Sequence, residues 1–348
     1  ANQPRIDFTG GGCGSLLLEP SRTNLITNSE YLNGWNKYLA TAEFDGAIIN
    51  PNRTSGAYKV VCNGATNAPN IRYNNIVLSG NYSYSVFVKA GNAESMLFGF
   101  DDYDGDKVFM RFNFSTNALT EYIDNNNKVT GYDLETFDNG WYRLWVNVNL
   151  ANATYNDIYL MVRNLDNSVV DSGDYFYAWG TQLEAGAYST SLIPTYGTSV
   201  TRAADDCLLT SASSIIGQTS GSIYFEFDYK HQTINSTLLQ VRQDIQNTFN
   251  LLSLSDFKLR FRNYYAGVSQ FSISTSSVIT EGVHKACLTY EANSFAFYLD
   301  GALVGTASSG SVPLADQVEI FTINNNTKQL LLFRTALSDA DCITLTTI

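Results

Sequence analysis

Apolar and polar residues alternate along most of this chain with a period of two. In residues 82–89, Tyr82, Tyr84, Val86 and Val88 point one way, and Ser83, Ser85, Phe87 and Lys89 the other. In residues 141–150, Tyr142, Leu144, Val146, Val148 and Leu150 share a face, and Ile158, Leu160 and Val162 repeat the pattern. Residues 221–229 place Ile223, Phe225 and Phe227 on one side, and residues 284–290 alternate too. Period two over short runs separated by Gly, Asn and Asp predicts strands with one face on a core. Residues 98–114 read as a hairpin around the Asp-Gly of residues 101–106, and 293–304 as a second one through Asp300-Gly301. Residues 124–127, DNNN, mark a further loop. After the apolar run 330–333, Ser338 fits an N-cap with Asp341 at N3, which predicts one short helix. The pattern predicts an all-β chain: two β-sandwich (jelly-roll) domains in tandem with an extended N-terminal arm.

At 348 residues the chain is long enough for two cores. Residues 1–23 form the arm. Gly10, Gly11, Gly12 and Gly14 exclude a helix interior, and Pro20 ends the run Leu16-Leu17-Leu18. Those leucines need burial, so the arm is expected to pack on the first domain, residues 24–193. Residues 194–206 are an ordered connector, and 207–348 the second sandwich. The stretch 182–206 carries Gly186, Pro194 and Gly197 and no helical period. Its apolar Leu192-Ile193-Pro194 is expected to pack on the first domain.

Composition narrows the function classes. Net charge is -12 and charged residues are only 16%. Nucleic acid and anionic membranes are poor partners for such a chain. No apolar run approaches the length of a membrane span, so no membrane insertion is expected. A surface rich in Asn, Ser, Thr and Tyr suits polar, uncharged ligands, sugars first. The first residue is Ala1, so the sequence reads as a fragment or a processed product. Five scattered cysteines without a CxxC pair fit a reduced compartment and offer no zinc site. His231 and His284 are the only histidines, too few for a metal centre or a triad.

Several motifs add a resemblance. The pattern QLE…TS-x-IPT…TRAAD over residues 182–205 resembles a segment common in tail-fibre and other virion proteins of tailed bacteriophages. There it closes a jelly roll similar to carbohydrate-binding modules. Pro4-Arg5-Ile6-Asp7-Phe8 and the Leu16-to-Leu25 stretch LLLEPSRTNL resemble the approach to the same module. Tyr298-Leu299-Asp300-Gly301 with Val304-Gly305, and residues 332–340 (LFRTALSDA), resemble a laminin-G-like, concanavalin A-type sandwich. The resemblance implies a virion location, other virion proteins as partners, a homotrimeric parent, and a host cell-surface polysaccharide or glycoconjugate as ligand.

Candidate chemistry follows. Glu226-Phe227-Asp228 begins the carboxylate cluster of concanavalin-type glycanases, but Tyr229-Lys230-His231 does not complete it, so no enzyme is expected. Asp102, Asp104 and Asp106 are candidate calcium ligands. Gly105 falls one place early for an EF-hand, and a solvated turn is the expectation. No cofactor is expected, though a structural calcium is compatible with a jelly roll. The candidate sugar site is the face of 141–150 opposite the core, where Trp145 stands with Arg143 and Asn147. Tyr159 and Arg163 would share it, and Trp179 joins it. Aromatic rings cover pyranose faces while amides and guanidiniums meet hydroxyls. Trp141, in a Trp-Tyr-Arg element of the module, is expected to be structural. The competing expectation is that these aromatics fill a second small core under the arm.

Overall fold

The computed structural model describes residues 6–7, 14–64, 66, 68–102, 105, 107–231, 234–321 and 326–348. The chain divides into two units, Ser21–Arg202 and a second made of Ala203–Ile348 with the chain before Ser21. Strand β1 (Ile6–Asp7) pairs with β2 (Ser15–Leu16), and both belong to the second unit. Leu18 enters that unit's core, and the Glu19 amide donates to Asp205 Oδ2 at 2.7 Å. The described residues of the arm up to Pro20 therefore pack on the C-terminal sandwich and not on the first domain, to which only Ser21, Arg22 and Thr23 of the arm belong. The physical reason is that the leucines find burial and edge pairing there. Among the described residues, no helix is long and apolar enough to cross a membrane.

The first unit is a jelly roll. Its strands are β3 (Arg22–Asn24), β4 (Asn36–Tyr38), β5 (Ala40–Ile49), β6 (Ser55–Cys62), β7 (Asn70–Lys89), β8 (Ser95–Asp102), β9 (Lys107–Asn113), β10 (Ala118–Asp124), β11 (Val129–Phe137), β12 (Trp141–Arg163), β13 (Tyr175–Ala185) and β14 (Val200–Arg202). Strands β7 and β12 pair antiparallel over almost their full length and belong to both layers. Residues 141–148 of β12 lie between β11 and residues 82–89 of β7, which β13, β6 and β5 extend. Residues 156–163 of β12 lie between β8 and the start of β7, extended by β9 and β10 on one side and β4 on the other. The ladder shifts register between Leu150 and Thr154, opposite Gly80, whose φ is 101°. Glycine tolerates this backbone, and the pair turns there from one layer into the other.

Between the layers, Val86, Val88, Leu144, Val146 and Val148 face Phe98, Phe100, Ile158, Leu160 and Val162, all but fully buried. Tyr84 joins them, 5.8 Å ring to ring from both Phe98 and Phe100. These are the inward positions of the predicted alternation. The hairpin expected over 98–114 is β8–β9.

The second unit continues with β15 (Cys207–Leu209), β16 (Ser220–Tyr229), β17 (Ser236–Asp244), β18 (Asn247–Ser253), β19 (Leu259–Tyr265), β20 (Val268–Ser274), β21 (Gly282–Glu291), β22 (Ser294–Leu299), β23 (Ala302–Ala307), β24 (Gln317–Ile320), β25 (Asn326–Phe333) and helix α1 (Asp339–Thr346). One sheet runs β1-β2-β25-β16-β21-β22-β23, the other β15-β24-β17-β18-β19-β20. Phe225, Phe227, Phe249, Phe261 and Phe297 fill the core between them. Helix α1 starts as the sequence predicts: Ser338 Oγ accepts from the Asp341 amide at 3.2 Å. It covers Tyr224, Cys287 and Tyr298 on the outer sheet face. Cys287 and Cys342 meet there as free thiols, sulfurs 3.7 Å apart.

The Asp300-Gly301 turn of the β22–β23 hairpin holds a partly buried His284–Asp300 pair. Asp300 and Gly301 have φ of 50° and 77°, the left-handed pair that a two-residue hairpin of this type requires. His284 Nδ1 lies 2.6 Å from Asp300 Oδ2, and Nε2 lies 2.8 Å from the Thr280 carbonyl. Both nitrogens face acceptors, which the imidazolium satisfies. Burial works against the charged ring, but Asp300 and the Thr280 carbonyl outweigh it and raise the pKa above 6.5. A raised folded-state pKa adds stability that is complete below the unfolded value and is lost as pH rises through the folded one. His284→Ala should therefore lower the melting temperature of this unit more at about pH 5.5 than at about pH 8.5. Equal losses at both pH values, read by thermal melts, would contradict the charged assignment.

Candidate glycan-binding face of the jelly roll

The outer face of the β11–β12–β7–β13 layer can be built row by row from the ladder. One row is Gly131, Asn147, Ser83 and Glu184. The next is Asp133, Trp145, Ser85 and Gln182, and then Glu135, Arg143 and Phe87. Gln182, Ser83 and Ser85 are polar residues on a sheet face, yet all are buried. The segment after β13 covers them.

That cover is fastened by one network. Gln182 Nε2 donates to Glu184 Oε1 at 2.8 Å and to the Thr190 carbonyl at 3.1 Å, and Gln182 Oε1 accepts from the Ile193 amide at 2.6 Å. The fully buried Glu184 accepts from the Thr190 amide at 2.7 Å and the Thr190 hydroxyl at 2.6 Å, and Arg22 Nε stands 3.7 Å away. Asn24, also fully buried, makes four bonds. Its Nδ2 donates to the Thr181 and Ile193 carbonyls, and its Oδ1 accepts from the Ile26 and Leu183 amides. Thr195 exchanges bonds with Ser29 in both directions at 2.9 Å. The recognised motif residues Asn24, Gln182, Glu184, Thr190, Ile193 and Thr195 are thus one structural device.

The device divides the six residues expected at the sugar site. Arg143 is 5% exposed, donates to Ser85 Oγ at 3.0 Å and to the Thr190 carbonyl, and lies over the Phe87 ring. It serves to hold the cover down. Trp179 is 3% exposed and packs tilted against Phe87 at 5.3 Å within a cluster with Ala57, Trp141 and Tyr177, against which Leu192 packs. A second small core does exist, but Leu192, just before the connector, packs on it rather than any described residue of the arm. Trp141 is its buried centre, with Nε1 donating to the Ile49 carbonyl at 2.9 Å. Tyr159 and Arg163 lie on the outer face of the opposite layer, because β12 has crossed between layers by residue 156. There Tyr159, 8% exposed, packs edge-on to Phe109 at 5.6 Å, and Arg72 Nη1 donates to its hydroxyl at 3.0 Å.

Trp145 and Asn147 remain beside the cover. Trp145 is only half-buried. Its row and the next carry Asp133 and Gly131 of β11, an edge strand of the layer. A side chain begun at Gly131 would stand 3.6 Å from Asn147 Nδ2 and 4.0 Å from the Trp145 ring, so glycine leaves this space open. Asn147 is 5% exposed, and its Oδ1 has no hydrogen-bond partner among the described residues. An unpaired buried amide oxygen costs about 1–3 kcal/mol unless something bonds to it. The half-buried Trp145 ring and the exposed Asp133 carboxylate therefore stand together, with the buried Asn147 Oδ1 beside them. The signal missed in the sequence was Gly131, which matters only once β11 is known to flank Trp145.

The other candidates hold less. Asp104 and Asp106 lie outside the described residues, as does the Asp102 side chain. Among the described residues there is no group of three or more His, Cys, Asp and Glu side chains that could hold a metal. Glu226 accepts from the Tyr224 hydroxyl at 3.0 Å and faces Lys285 and Gln329 across the ladder. A cleft of about 370 Å³ at one end of the jelly roll is lined by Ala90, Gly91, Ala93, Glu94, Phe114, Ser115 and Leu165.

No protein-family model matches the sequence, and no curated protein matches it. Among solved structures, the chain is similar to the CBM40 module of a Ruminococcus gnavus IT-sialidase, bound to alpha2,3 sialyllactose. Identity is 15% over 39% of this chain and 87% of that one, with a TM-score of 0.34. It is similar to the SAP-like pentraxin of Limulus polyphemus at 16% identity, over 40% of this chain and 74% of that one, TM-score 0.33. Mouse laminin alpha1 domains LG4-5 overlap 89% of this chain and 94% of theirs at 10% identity, TM-score 0.28. At these scores the overlaps carry no argument, and the site rests on its own side chains.

The network makes a direct prediction. Asn24→Ala strands two buried amides and two carbonyls at once. It should cost about 3 kcal/mol of jelly-roll stability, measured by chemical denaturation of the full chain. A loss below about 1 kcal/mol would mean that the four bonds do not hold the cover.

Proposed function

We propose that this chain is a non-enzymatic glycan-recognition module carried on the tail fibre or another appendage of a tailed-phage virion. Its ligand is a polysaccharide or glycoconjugate of the host surface, and its contact is the open patch around Trp145. The observation that carries this reading is the half-buried Trp145 ring beside Gly131, the exposed Asp133 carboxylate and the unpaired Oδ1 of the buried Asn147. A sugar stacked on the indole places hydroxyls where Asn147 Oδ1 and the Asp133 carboxylate accept. The virion location, the virion partners and a homotrimeric parent rest on the motif resemblance in residues 182–205 and before residue 26. No cofactor enters the reading.

A second reading has its own observation. The residues that carry the resemblance are consumed in fastening residues 186–196, which also suits a purely structural spacer or docking module. An accessory region of a polysaccharide-degrading enzyme would use the Trp145 patch in the same way.

A glycan array on the purified chain identifies the ligand, and titration with it tests the patch. Trp145→Ala should abolish binding while costing under about 1.5 kcal/mol of stability, since the ring is not needed in either core. Gly131→Val should block binding with the fold intact. A loss of about 3–5 kcal/mol in Trp145→Ala, with binding unchanged in the folded fraction, would mark the ring as core and favour the spacer.

A further inference from the structure

The opposite outer face of the jelly roll carries an arrangement that the Trp145 patch does not explain. Arg111 of β9 and Arg163 of β12 converge on one ring, Tyr122 of β10. The Arg111 guanidinium carbon lies 4.3 Å from the ring centroid and that of Arg163 5.9 Å. Arg163 Nη2 donates to Tyr122 Oη at 3.2 Å. Arg111 donates to the Leu165 carbonyl at 2.9 Å and to Asn167 Oδ1. Among the described residues, neither arginine has a carboxylate partner, and the Nε of each is buried without a hydrogen bond. The nearby Glu94 carboxylate is engaged by the Leu165 amide at 2.9 Å, and Asp166 by the Ser168 amide at 2.8 Å.

This is unusual for a chain of net charge -12. Two other described cations of this face have carboxylates beside them. Lys107 pairs with Asp101 at 2.9 Å, and Arg72 stands 3.9 Å from Asp157. Two guanidiniums held on one ring repel each other and keep several N–H donors unused. Their planar forks match a carboxylate, and stacking on a tyrosine and a loop carbonyl fixes them before any ligand arrives. Beneath them, Leu97, Phe109, Tyr159 and Met161 form a dry floor that keeps the local dielectric low.

We propose that Arg111 and Arg163 form a second binding site, for the carboxylate of an acidic sugar such as a uronic or nonulosonic acid. Tyr122 and Asn167 carry the two arginines, and the sugar ring extends over the same sheet face. That the anion belongs to a sugar rests on the glycan reading above. That the site takes an anion rests on the arginines alone.

The test titrates the full chain at low salt with tetragalacturonate, N-acetylneuraminic acid, cellotetraose and inorganic phosphate. At least one acidic sugar should bind, cellotetraose should not bind at this site, and affinity should fall with added salt. Arg163→Gln should weaken the acidic sugar at least about tenfold, and Trp145→Ala should leave it unchanged. Arg111→Gln should act alike. If it loosens the loop holding Leu165 and Asn167, seen in a melt, Arg163→Gln decides alone. Phosphate binding lost in Arg163→Gln, without any acidic sugar binding, keeps the anion site and overturns its sugar. No binding of any anion, or equal binding by wild type and Arg163→Gln, overturns the proposal whatever Trp145→Ala shows.

Discussion

The jelly roll depends on a covered sheet face. Gln182 and Glu184 are polar residues with no exposure, placed where an exposed strand would leave them in water. Their burial is tolerable because the segment after β13 supplies partners for each: the Thr190 amide and hydroxyl, the Thr190 carbonyl and the Ile193 amide. Buried polar groups cost more than they contribute when left half-paired. The network therefore acts as a register lock, admitting one placement of residues 186–196. That placement decides what is left open. It hides Arg143 and closes the Trp179 cluster with Leu192, and it stops short of Trp145 and Asn147.

Period two made the strands legible. Val86, Leu144, Val146, Ile158 and Leu160 all point inward as the alternation predicts. The same regularity concealed the layers. In β12 the outward positions are odd-numbered over residues 141–149 and odd-numbered again over 157–163, although the strand passes from one layer to the other after Leu150. Sequence spacing thus joined Tyr159 and Arg163 to Trp145, while the fold puts them on the opposite sheet. Strand breaks can be read from glycines and prolines, but β12 has neither, and the glycine that marks this bend, Gly80, lies on the partner strand β7. The arm was misplaced for a related reason. Its leucines announce burial, and nothing in their pattern says which sandwich provides it.

The motifs tell a parallel story. Asn24, Gln182, Glu184 and Thr190 stood out by order and spacing, yet their side chains hold the chain together and face no solvent. The residues with chemistry to spare are less conspicuous: a glycine in an edge strand and, among the described residues, an asparagine oxygen without a partner and two arginines without carboxylates. In the C-terminal sandwich, by contrast, helix α1 occupies the outer face around Tyr224 and Tyr298, and His284 is absorbed in the hairpin turn. What each outer sheet face offers is set by what its own connecting segments leave uncovered.

The indole N–H resonances offer the most direct measurement. The four tryptophans are Trp35, Trp141, Trp145 and Trp179, and all except Trp145 are buried. In a nitrogen-15 correlation spectrum recorded during titration with the array-selected glycan, the Trp145 indole should shift and the other three should stay in place. A Trp145 signal that does not move at saturation, or Trp179 moving in its stead, would contradict the claim that the fastened cover leaves Trp145 as the open contact.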